Sequence, residues 1–331
     1  MTEDETTSPR DLGSRSWKFV TRTVGRKFAA DFAADIAAGL TFHGVLALIP
    51  ALLVAVSIVS LLGSESEVVG FALTVIRSVS TEQTADAVGG VIDELTDSSI
   101  AGFALVFGVA LTIWAVARYI AAFGRGMNRV YEVEEGRSPW ALKTMQILVA
   151  VVLLIAAAFA GVVLVASGPV AKAIGEALSL GDTVLVVWRI LRWPILLGIV
   201  IACIAFVYDR ASNVRHPRFR WLSWGAVVAI VLLAAASALF GLYVTNIADY
   251  ERVYGSLAGA IIFLLWMWIA NLSLMLGVEF DAAVERAREL RAGEPAEARA
   301  RLPLRDRSRI VRKQARRSAE IQEARGLRRR P

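Results

Sequence analysis

Six long apolar stretches, at roughly 34–62, 100–124, 141–168, 184–208, 221–247 and 254–280, fill most of this 331-residue chain. A helix needs about 20 apolar residues to cross the hydrocarbon core of a bilayer, and each stretch meets that length. The expected fold is an all-α membrane protein, a six-transmembrane-helix bundle. At 56% hydrophobic residues and a mean hydropathy of +0.56 the chain is too apolar for a soluble domain of this size, and its charged residues gather outside the stretches. The one cysteine, Cys203, lies inside the fourth stretch, which closes an intrachain disulfide or a metal-thiolate reading.

Charge placement gives an orientation. Arg10, Arg15, Lys18, Arg22, Arg26 and Lys27 precede the first stretch, which is too long for a signal-peptide core, so no cleaved signal is expected. The segment 125–139 carries Arg125, Arg129 and Arg137, and 209–220 carries Arg210, Arg215, Arg218 and Arg220. The alternate loops, 63–99, 169–183 and 248–253, have one basic residue each: Arg77, Lys172 and Arg252. Because basic loops stay inside, both termini are expected in the cytoplasm. Trp140, Trp188, Trp193, Trp221 and Trp224 fall near the expected boundaries, as interfacial tryptophans do.

The organisation expected is a cytoplasmic arm over 1–33, a membrane domain over 34–287 and a basic cytoplasmic tail over 288–331. After residue 280 sixteen basic residues face eight acidic ones, a composition suited to anionic headgroups. No aromatic residues interleave the tail arginines, so no specific nucleic-acid partner is expected. The first outer loop, 63–99, repeats Val68, Ala72, Val75, Ile76 and Val79, then Val88, Val91, Ile92 and Leu95, at helical spacing. Two amphipathic helices are expected there, serving as a lid on the bundle or as a gate. No internal repeat is evident.

Ionisable and polar groups inside spans are costly and so mark candidate sites. His43 can hydrogen-bond a neighbouring helix or move protons, and Pro50 removes a backbone hydrogen bond and should kink the first span. Arg118, Arg125 and Arg129 share a helix face and form a cationic stripe entering the membrane from inside, with Asn128 beside it. Arg118 is the deepest of the three. Arg189 and Arg192, a turn apart near the outer end of span four, can pair with acidic loops or hold an anionic headgroup or substrate. Tyr254 borders the polar turn before span six. Glu279 closes that span, near enough to the cytoplasm to be solvated or to meet Arg118 or Arg125.

Several runs resemble the YihY/BrkB group of bacterial inner-membrane proteins, some once labelled ribonuclease BN. They are Leu40 to Pro50, Trp114 to Arg118 with Gly126 to Tyr131, Leu191 to Pro194, Tyr250 to Leu257, and Leu276 to Ala282. The resemblance covers about 30–287. It implies a six-span protein without a settled biochemical activity, linked in some members to serum resistance and envelope lipid export.

Transport or flipping of a lipid or other anionic amphiphile is therefore the expected role. The alternative is a non-enzymatic scaffold, whose tail recruits an envelope or cytoplasmic partner; a homo-oligomer or an envelope protein is the partner expected besides lipid. Ribonuclease chemistry is not expected: His43 and His216 are the only histidines, and no HxHxD or HExxH spacing occurs. Nor does any Walker-type GxxxxGK[ST] occur, so any coupling would be to an ion gradient, to a partner, or absent; no enzyme activity and no cofactor are expected.

Overall fold

In the computed structural model, the structure describes residues 13–61, 101–165, 182–215, 223–246, 257–297, 299–300 and 302–328. These form eight helices: α1 (Ser14–Ala30), α2 (Ala33–Leu61), α3 (Ala101–Val130), α4 (Pro139–Val165), α5 (Asp182–Ala211), α6 (Trp224–Asn246), α7 (Ala258–Arg291) and α8 (Ser308–Arg328). Helices α2 to α7 are each long and apolar enough to cross a membrane. The six-span bundle expected from the sequence is thus present. The amphipathic helices expected in 63–99 lie outside the described residues.

Each span is helical because, in hydrocarbon, the backbone must satisfy its own hydrogen bonds. α2 continues through Pro50, whose side chain is buried. α2 packs chiefly on α3, and α6 on α7, while α7 also touches α1, α2 and α3. The tightest core lies toward the end where α3, α5 and α7 finish, called the polar end below. Leu40, Ile120, Phe123, Met127, Tyr131, Tyr208, Met275 and Val278 meet there, all nearly inaccessible. Away from it, large apolar side chains such as Ile155, Phe159, Trp193 and Leu239 face outward, as a lipid-facing surface requires.

Two features of the polar end depart from the sequence expectation. Residues 14–30, read as part of a charged arm, form a helix whose Trp17, Val20 and Val24 pack on Phe280, Ala283, Val284 and Ala287 of α7. α7 runs on to Arg291 rather than ending near 280. The two departures have one cause: α1 covers the stretch of α7 that leaves the apolar zone.

α6 and α7 meet through glycine. A Cβ on Gly277 would overlap the Gly225 carbonyl and the Ala229 side chain, and a Cβ on Gly225 would overlap the Gly277 carbonyl. Small residues let membrane helices approach this closely. Gly277→Val should destabilise the protein by about 1–3 kcal/mol, the usual range for overpacking. Gly161→Ala, where a Cβ meets open space, should be neutral. Thermal unfolding of the two variants in one detergent checks the contrast.

Candidate functional site

The exposed flank of the α2–α3 pair carries the charge. Trp114, Arg118, Arg125 and Arg129 project from one side of α3 and are all exposed. Positions 114, 118, 125 and 129 fall within a narrow arc because seven residues make nearly two turns. The Arg118 guanidinium lies over the Trp114 ring at 5.1 Å, and that of Arg129 over the Phe32 ring at 5.2 Å. His43, half-buried on α2, is within electrostatic reach of Arg118 and Arg125. Its ring also meets Phe42 at 5.7 Å, and Phe42 is exposed. The structure therefore joins His43 to the arginine stripe across two helices. Toward the other end of α3 the same face continues as Leu111 and Phe107, both exposed and apolar.

Behind this flank a polar chain crosses the bundle. The Tyr119 hydroxyl donates to Asn271 Oδ1 at 2.6 Å; Asn271 Nδ2 donates to Thr41 Oγ1 at 3.2 Å and to the Met267 carbonyl at 3.0 Å. Thr41 in turn donates to the Ala37 carbonyl at 2.8 Å. This ties α3, α7 and α2 together at mid-span. Nearer the polar end, Asp281 accepts from the Tyr131 hydroxyl at 3.1 Å and from the Gly225 amide at the start of α6 at 3.2 Å. Interhelical bonds of this kind are worth about 0.6 kcal/mol each on average, enough to fix register when several act together.

Asn128 faces away from the stripe and serves a second network. Its Oδ1 accepts from the Asn213 amide at 2.9 Å, and its Nδ2 donates to Glu135 at 3.1 Å. Glu135 also holds Arg137 through bonds from Nε and Nη2 at 2.7 Å each, while Arg137 donates to the carbonyls that end α5, Arg210 and Ala211. The segment after α7 closes over this cluster. Arg305 donates to Asp209 and to the Val214 carbonyl, and its amide to the Asn213 carbonyl. The Asn213 side chain donates to the Asp306 carbonyl at 3.0 Å and accepts from the Asp306 amide at 3.2 Å. This clasp passes so close to Gly136 that a Cβ there would overlap the Asp306 carbonyl. α8 follows it with no buried residue.

The remaining sequence candidates scatter. Pro50 sits inside α2. Glu279 is buried, 1% exposed, rather than solvated; its carboxyl faces Asp31 and lies within electrostatic reach of Lys27 and Glu132. Arg192 on α5 stacks on Trp193 at 5.2 Å, with a buried Nε that has no acceptor among the described residues. Arg189 belongs to α5, and Tyr254 lies outside the described residues. Tyr119, Thr41, Glu135 and Asn213 were not anticipated as site residues. Mid-span polar residues with no apolar role were the available signal for Thr41 and Tyr119.

Residues 24–301 match the profile of the family described as virulence factor BrkB. The chain belongs to the BrkB family. Among its relatives, a Bacillus subtilis protein named ribonuclease-like protein YfkH is 24% identical over 253 residues, covering 76% of this chain and 90% of that protein. A UPF0761 membrane protein of Alkalilimnicola ehrlichii is 29% identical over 291 residues, covering 79% of this chain and 57% of that protein. Another, of Chromobacterium violaceum, is 25% identical over 285 residues, covering 80% and 61%. The BrkB-family chain thus spans about three fifths of the length of these two UPF0761 relatives. No solved structure matches it. With six spanning helices and membrane-protein relatives, it is a multi-pass bacterial membrane protein.

Two expectations follow for the clasp. Arg305→Ala should speed amide exchange across 302–307 and 213–215 while leaving the six spans unchanged, as read by hydrogen–deuterium exchange. The second concerns acid. Burial raises the Glu135 carboxyl, but the hydrogen bonds and charge of Arg137, with a further bond from Asn128, outweigh it and hold the group below its usual value. A carboxylate lowered in the folded state stabilises fully above its unfolded value, near 4.5, and loses that contribution as pH falls through the lowered one. Melting temperature should therefore fall more steeply below about pH 4.5 in the wild type than in Glu135→Gln, in a series measured at fixed ionic strength.

Proposed function

We propose that this protein moves an anionic amphiphile, of the phospholipid kind, along the α2–α3 flank. The observation that carries the reading is exposed Arg118, set in line with Arg125 and Arg129 and beside His43. Arg118 lies twelve residues from the end of α3, about 18 Å of helix. An arginine at the centre of a spanning helix costs about 2.5–3.5 kcal/mol unless it meets an anion, water or the interface. A phosphate or carboxylate headgroup supplies two acceptors matched to the guanidinium fork. The apolar half of the same face, Trp114, Leu111 and Phe107, suits acyl chains. Steps between Arg129, Arg125 and Arg118 would carry a headgroup about 16 Å along the helix.

Orientation enters through charge. With the basic loops and both termini inside, the stripe opens to the cytoplasmic leaflet of an inner membrane. We read the protein as a non-enzyme that binds no cofactor. The ribonuclease-like name of the Bacillus relative is not carried over. Among the described residues no group of three or more His, Cys, Asp or Glu is placed to hold a metal ion. A second reading, a scaffold that recruits a partner, is favoured by α8, which has no buried residue and carries seven basic against two acidic residues.

Purified protein in liposomes with labelled phosphatidylglycerol provides the test. Protein should accelerate movement between leaflets over empty vesicles, and Arg118→Ala should slow it about tenfold, or about 1.4 kcal/mol. Arg118→Lys should fall between the two, because an ammonium lacks the bidentate fork. Failure to accelerate any anionic lipid would defeat the transport reading. Removing 308–331 should leave the rate unchanged; loss of cellular function with an intact rate would favour the scaffold.

A further inference from the structure

Glu279 is the anomaly the flank does not use. It is 1% exposed, yet neither carboxyl oxygen has a hydrogen-bond donor among the described residues, and the buried Oδ2 of Asp31 has none either. The two side chains face each other. Asp31 comes from the corner between α1 and α2, and Glu279 from α7, so the contact joins three helices. Other buried or half-buried carboxyls nearby are provided for: Asp281 accepts from Tyr131 and Gly225, and Glu135 from Arg137 and Asn128.

Beyond Asp31, α2 carries Asp35 one turn on, and Arg129 of α3 lies over the Phe32 ring. Lys27 of α1 and Glu132, just past α3, both act on Glu279 but are paired with each other. On α7 the flanking ionisable groups are Asp281, Glu285 and Arg286; Asp281 is engaged as above, and Arg286 donates to the Ala296 and Glu297 carbonyls. Glu285 bonds Arg288. α6 carries no charged residue. Two facing carboxylates without a donor are not stable out of water, because like charges at contact distance oppose ionisation of both. One proton between them turns the contact into an O–H···O⁻ bond, the strong kind.

The backbone supports a built arrangement. Phe32 and Glu132, next to Asp31 and Lys27 respectively in sequence or space, adopt left-handed conformations with φ of 55° and 54°. A non-glycine residue held there costs about 1–2 kcal/mol. A small cavity lined by Thr23, Lys27, Tyr131, Glu132 and Arg286 lies on the same side of α7 and leads to the Lys27–Glu132 pair.

We propose that Asp31 and Glu279 form a proton-binding site, sharing one proton between their carboxyl groups at neutral pH. The ligand is H⁺ itself. Losing it leaves a second negative charge between the α1–α2 corner and α7, where Lys27 is already paired with Glu132, and this drives that corner off α7. Such a site would supply the transport reading with a coupling ion, but its existence does not depend on that reading.

The test reads the protein alone. Infrared spectra of the full chain in phosphatidylcholine vesicles at neutral pH should show a protonated-carboxyl C=O stretch that shifts in deuterium oxide. Glu279→Gln should abolish it, since the amide donates to Asp31. Asp31→Asn should abolish it too, since the new amide donates to Glu279 and lets it ionise. Both changes keep shape and supply the missing donor, so both variants should melt at or above the wild-type temperature. Absence of the band from the wild type, or its persistence in either variant, overturns the proposal. The wild-type spectrum decides even if a variant fails to fold. Lipid movement without the band would leave the flank reading standing and remove this one.

Discussion

At about 51 Å, α7 exceeds a hydrocarbon core of about 30 Å by some 20 Å, and the surplus has to be covered by other parts of the chain. Most of the polar end follows from that constraint. α1 lies against the surplus through Trp17, Val20 and Val24, the turn after α7 returns to accept from Arg286, and Asp281 reaches the start of α6. At its other stretches α7 touches α2, α3 and α6, with the glycine contact at Gly225 and Gly277 setting the closest approach. A helix that meets this many partners cannot shift without altering all of them.

Polar groups divide into those the fold satisfies and those it leaves open. Tyr119, Asn271, Thr41, Asp281 and Asn128 find partners across helices and hold the bundle in register. Arg118, Arg125 and Arg129 face outward with aromatic support on two of them, and Glu279 faces another carboxyl. Interior satisfaction and exterior charge occur within one turn of each other on α3, at Tyr119 and Arg118. That contrast separates packing from a surface suited to a ligand.

The spans were legible in the sequence because length and hydropathy are local properties, and the arginine stripe because a seven-residue spacing on a helix needs no tertiary knowledge. What hydropathy could not show is where a helix ends. Charges in Asp281 to Arg291 break an apolar run but not a helix, since α1 buries one side of them. The same bias hid α1 itself: its lysines and arginines dominate a residue count, while Trp17, Val20 and Val24 repeat at the period of a helix. Partners distant in the chain were out of reach altogether. Nothing local pairs Glu279 with Asp31, Asn213 with Asp306, or Tyr119 with Asn271, so Glu279 was expected beside water or arginine and is instead enclosed.

The clasp has a consequence for biosynthesis. Asn213, which follows α5, uses its side chain on Asp306 and its carbonyl on Arg305, while Arg305 also binds Asp209. Residues 303–306 emerge from the ribosome only after the sixth span. Until then the Asn213 amide can already meet Asn128, but the Asn213 and Val214 carbonyls lack the partners that Arg305 brings, so this part of the polar end stays open while insertion is in progress. The loops after α3 and α5 are therefore closed over only by residues made after the sixth helix.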